Sequence, residues 1–117
     1  MKRALKVTPE FEVEVLDIED NFLEIMQGAV EGLIQPVDYN NRLTFWVNEE
    51  FYSLTDPKPN LVATTFYNIL GSEHTIMGNA VFTGGTDNEG DVQALDDETY
   101  ETLLEVIAEA KVEMGGM

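Results

Sequence analysis

The chain has 117 residues, 44% of them apolar and 9% aromatic, enough to bury a core in a single domain without a covalent staple. Twenty-three acidic residues against six basic ones give a formal charge of −17. That balance argues against direct capture of nucleic acid or of an anionic membrane, because both need clustered Lys and Arg.

Cysteine is absent, which excludes disulfides, thiolate nucleophiles and thiolate metal sites and fits a reducing, cytoplasmic setting. The basic start, Met1, Lys2, Arg3 and Lys6, is followed by Thr8, Pro9 and Glu10. A signal peptide needs an apolar run there, so no secretion signal is expected. The charge-free stretches 59–72 and 74–86 are too short to span a bilayer. One domain over 1–117 is expected, with 115–117 frayed.

Residues 3–7 and 11–16 read as a strand pair joined through Thr8, Pro9 and Glu10. In the second strand Phe11, Val13 and Val15 alternate with Glu12, Glu14 and Leu16, the period of a strand with one wet face. Asp20 is placed to cap a helix over 21–30, with Phe22, Leu23, Met26 and Val30 on one side and Gly32 at its end. Residues 33–39 follow as a strand that Pro36 assigns to an edge or bulge. Asn40 and Asn41 turn the chain into a partner strand over 42–48. There Phe45, Trp46 and Val47 are consecutive, so both faces of that strand need cover. Residues 51–54 read as a short returning strand. Asn60 caps a second helix over 61–70, ended by Gly71. Residues 75–83 read as a central strand with a bulge at Gly78 and Asn79. Asp96 and Asp97 precede a last helix whose stripe is Tyr100, Leu103, Leu104, Ile107 and Ala110. The class is α+β: a mainly antiparallel sheet with about three helices packed on one face.

Chemistry-bearing residues are few. Ser72 and His74 lie in one turn with no orienting carboxylate, which argues against a triad. Asp87, Glu89 and Asp91 beside Gly90 offer oxygen ligands, yet their spacing departs from an EF-hand loop. Gly78, Gly84 and Gly85 lack the lysine and order of a phosphate loop. Trp46, Tyr52 and Tyr67 have the rings to stack on a base, although aromatics on strands usually serve the core. No catalytic residue, metal or cofactor is expected. The small-ligand alternative, a domain that sequesters a nucleotide or other signalling molecule, uses Trp46, Asn48, Asn79, Gly84 and Gly85.

Charge patterning is more informative. Glu101, Glu105, Glu109 and Glu113 recur at steps of four, about 6 Å apart along a helix and drifting roughly 40° per step. Like charges at that spacing repel, and the last two sit at the negative end of the helix dipole. Helix stability therefore does not account for the ridge. A solubility coat explains it without function. A face complementary to a basic protein explains it with one. Asp97, Glu101, Glu105 and Glu109 are the expected contacts of such a face.

Four ordered blocks from Gly32 onward carry a family likeness: Val47, Asn48, Glu49 and Glu50; Leu54, Pro59, Asn60 and Ala63; Ile76, Gly78, Asn79, Ala80, Val81 and Gly84; Asp87, Glu89, Gly90 and Leu95. On these the chain resembles the family labelled domain of unknown function 3846, small proteins of bacteriophages and bacterial genomes. Phe51 stands where a Gly closes the Asn-Glu turn in that family, and Leu61 where a basic residue often follows Pro-Asn. The second departure weakens any anion-binding role for that helix start. The resemblance implies an α+β domain in a phage or mobile-element context and brings no catalytic residues. The expectation is a non-enzymatic accessory protein that binds a host protein, a defence or nucleic-acid-processing factor, through its acidic surface. An exposed sheet edge leaves pairing with a second copy open.

Overall fold

A computed structural model describes residues 1–54 and 56–115. The strands are β1 (Arg3–Val7), β2 (Val13–Asp17), β3 (Ile34–Asn40), β4 (Leu43–Asn48) and β5 (Ala80–Thr83). They form one antiparallel sheet in the order β2-β1-β5-β4-β3. Among the described residues three α-helices accompany it: α1 (Phe22–Val30), α2 (Leu61–Ile69) and α3 (Asp97–Gly115). Gly115 is the last residue of α3, while Gly116 and Met117 lie outside the described residues.

Strand alternation divides the core in two. Register aligns Val15, Leu5, Phe82, Phe45 and Val37 in one row across the sheet. On that face Leu5, Phe45 and Phe82 pack with Val62, Ala63 and Phe66 of α2 and Leu103 and Ile107 of α3. The intervening residues Ala4, Trp46 and Val81 point the other way, onto Met26, Ala29 and Val30 of α1. The α+β class and antiparallel sheet are as expected, but the helices do not share one face. β4 and β5 are buried at every position, and strands apolar on both sides need cover on both.

Local departures have physical reasons. Both ends of α1 differ from expectation: Asn21, not Asp20, stands at its start without a side-chain cap, and Glu31, not Gly32, takes the left-handed turn at φ 63°. Leu23 is exposed. Residues 51–54 contain a 3-10 turn, Phe51–Ser53, in place of a strand. The strand expected over 75–83 is confined to Ala80–Thr83, because the backbone before it serves the start of α2. The Asn60 amide donates to Ile76 O at 2.8 Å and the Gly78 amide to Lys58 O at 2.9 Å. Val13 and Val15 on β2 stay about half exposed, at 47% and 46%. Their strand is the sheet edge, and α2 and α3 close over the rows further in.

Candidate functional site

The acidic helix begins with a strong cap. Asp96 accepts from the Thr99 amide at 2.7 Å and takes both arms of the Arg42 guanidinium at 3.1 and 3.0 Å. The Thr99 amide first, then the Thr99 hydroxyl and Arg42, hold the Asp96 carboxylate below its usual range, while Asp96 raises Arg42 in turn. Arg3 reaches the same region from β1, donating to Leu95 O at 3.1 Å and to Asp97 at 2.9 Å. Its guanidinium lies 4.1 Å from the Tyr100 ring centroid, a cation–π contact. Two arginines thus fasten the start of α3 to the sheet. Asp97, expected at a partner surface, pairs with Arg3 while its side chain stays 99% exposed.

Further along, Leu103 and Ile107 are buried, and Tyr100, Leu104 and Ala110 pack partly against the same core. This is the stripe the spacing predicts. The positions between them leave Glu101, Glu105, Glu109 and Glu113 exposed to solvent. Among the described residues none of the four has a salt-bridge partner, whereas Arg3, Lys6, Arg42 and Lys58 all pair with acids elsewhere. Lys111 is the single base within α3. Acidic residues also occur on β2, β3, α1 and the loops. The ridge is distinguished by continuity and lack of compensation, and not by being the sole acidic region.

The residues of the ligand alternative do internal work. Trp46 donates from Nε1 to Thr83 Oγ1 at 3.0 Å and meets the Phe22 ring edge-on. Asn48 donates to the Val30 and Glu31 carbonyls at 3.1 and 3.3 Å, and Asn79 donates to Ala29 O at 3.0 Å. These carbonyls have no partners inside the helix, so the two asparagines terminate α1 from β4 and from the approach to β5. Gly32 is small because a Cβ there would meet the Asn48 amide. Gly84 and Gly85 are needed for close backbone approach, to Ala94 O and Asn41 O respectively. The Gly84 amide already donates to Gln93 O, which removes it from any phosphate cradle. Asn48 and Asn79 border different surface hollows.

The remaining polar motifs resolve into turns. The His74 amide donates to Ser72 Oγ at 3.1 Å, an arrangement that shapes a turn and does not activate a nucleophile. Asp87 accepts from the Glu89 and Asp91 amides and from Gln93 Nε2, each at 2.9 Å. No group of three or more His, Asp or Glu side chains is arranged to hold a metal ion among the described residues. Tyr67 packs edge-on to Phe45, and the side chain of Tyr52 lies outside the described residues.

Two features escaped the sequence reading. One is the reach of the Asn60 side chain, which besides capping α2 donates to Val7 O and Gly78 O at 3.0 and 2.9 Å. The other is a groove between α2 and α3 lined by Tyr39, Phe66, Ile69, Leu103 and Val106. No local sequence signal marked it, because its lining comes from two helices and the β3–β4 hairpin.

A family model described as Domain of unknown function (DUF3846) matches residues 1–108. No curated protein matches the chain, and no solved structure does. No helix among the described residues is long and apolar enough to cross a membrane.

Proposed function

The chain belongs to the family described as Domain of unknown function (DUF3846), and on that premise we propose that it is a non-enzymatic binding module whose α3 face docks a basic protein. The observation that carries the reading is the exposed run Glu101, Glu105, Glu109, which has no salt-bridge partner among the described residues, while Arg3 and Arg42 at the start of the helix are paired with Asp97, Asp96 and Glu98. Such a surface repels itself in the free protein and is relieved by a partner's Lys and Arg. The phage or mobile-element setting implied by the family resemblance makes a host protein the target, with the carboxylate row standing in for nucleic-acid phosphates. Direct nucleic-acid binding is disfavoured by the same charge.

The test is a pulldown from host lysate at low and high ionic strength, using the wild type and a variant carrying Glu101→Lys, Glu105→Lys and Glu109→Lys. The wild type captures a basic protein that high salt releases. The variant melts no lower than the wild type and loses the capture. Capture that survives both the salt and the charge reversal refutes the reading.

A further inference from the structure

Between α2 and α3, beside the end of the β3–β4 hairpin, the surface opens into a groove of about 360 Å³. Leu43, Phe66 and Leu103 form its buried floor, and Ile69, Thr102 and Val106 its walls. Ile69 stands 63% exposed at the rim. An apolar recess of this size, bordered by polar groups, is the form of a recognition groove.

Charge selects the occupant. α2 carries no charged side chain. On α3 the stripe Glu98, Thr102, Val106, Glu109 and Glu113 follows steps of three and four, so successive members share one side of the helix. Glu109 and Glu113, exposed and without a salt-bridge partner among the described residues, therefore continue the Thr102 and Val106 side of α3 beyond the groove. The one base at the rim, Arg42, is held by Asp96 at 3.0 Å and Glu98 at 3.5 Å. A second copy would bring the same sign of charge, and a neutral ligand would leave Glu109 and Glu113 unmatched.

We infer that the groove receives an amphipathic helix of a basic partner. Apolar residues at i, i+3 or i+4, and i+7 cover Phe66, Ile69 and Val106, while Lys or Arg toward one end of that helix meets Glu109 and Glu113. The inference rests on the docking reading above and adds the shape of what docks: a helix anchored by apolar side chains.

Two labelled peptides of about 18 residues, five helical turns, test it. Both contain only Leu and Lys in equal numbers, one with leucines at helical spacing and one scrambled so that no apolar face forms. Fluorescence anisotropy is measured against the wild type, Ile69→Ala and Ile69→Asp. The wild type binds the amphipathic peptide at least about tenfold more tightly than the scrambled one. Ile69→Ala narrows that gap. Ile69→Asp abolishes it, although its added negative charge would tighten a purely electrostatic contact. Equal, salt-sensitive binding of both peptides overturns the groove and leaves the acidic docking reading standing. Failure of both peptides to bind at low salt overturns both. Sedimentation as a dimer that Ile69→Asp dissociates assigns the groove to a second copy and also overturns the inference.

Discussion

Asn60 is fully buried, yet each of its polar groups has a partner. Its side-chain oxygen accepts from the Ala63 amide, its side-chain amide serves Val7 O and Gly78 O, and its backbone bonds Ile76 and Thr64. One side chain thus fastens the start of α2 to the end of β1 and to the loop before β5. Asn60→Ala removes a cap and strands two carbonyls, a loss of about 3 kcal/mol in denaturant unfolding. Asn60→Asp keeps the acceptor but not the donors and loses at least as much; stability near wild type for either would contradict this role. The glycines give a contrasting pair. Gly28 lies within α1 with open space where a Cβ would go, so Gly28→Ala raises stability by about 0.5–1 kcal/mol. Gly85→Ala drives a Cβ into the Asn41 backbone and lowers it by about 1–3 kcal/mol. Melts of the two variants should move in opposite directions. The cap at Asn60 was legible from its place before an apolar run. Its long-range bonds were not, since nothing local marks which carbonyls the fold brings to it.

Among the elements, α3 ties its own stability to pH. Asp96 has a folded pKa below its ordinary value, chiefly through the Thr99 amide, so its contribution is present above the unfolded carboxylate pKa and fades as pH falls through the folded one. Asp17, which accepts from the Lys2 and Glu19 amides, adds to the same acid limb. Asp96→Asn retains an acceptor for the cap and removes the charge facing Arg42. Its stability should fall less steeply than that of the wild type as pH drops from 5 toward 2, when followed by circular dichroism; parallel acid limbs would contradict the assignment. The elements themselves were legible wherever periodicity was strong. The β3–β4 hairpin follows from Asn40 and Asn41, and the buried stripe of α3 from Leu103 and Ile107. Residues 51–54 and 75–79 misled because an apolar or β-branched run looks like a strand even when its backbone pairs outside the sheet. The placement of α1 was also hidden, although Phe45, Trp46 and Val47 already demanded cover on both faces.

At the scale of the whole molecule, 23 acids against six bases leave a field that the four paired bases soften only locally. Added salt should therefore raise the melting temperature of the wild type, and raise it less for the Glu101→Lys, Glu105→Lys, Glu109→Lys variant, by differential scanning fluorimetry. Equal salt responses would mean that the ridge contributes nothing particular to the self-repulsion. The sequence made the ridge legible because four-residue spacing maps directly onto a helix. It did not show that Asp97 pairs with Arg3, which lies at the other end of the chain. Nor did it expose the neighbouring apolar groove, whose walls come from two helices and a hairpin. Whether α3 is a docking face is decided by the affinity of the captured partner, measured across a salt series for wild type and the triple charge-reversed variant. A docking face gives an affinity that falls steadily with ionic strength for the wild type and is lost in a variant that still folds. Matching affinities for the two proteins, flat with salt, would contradict it.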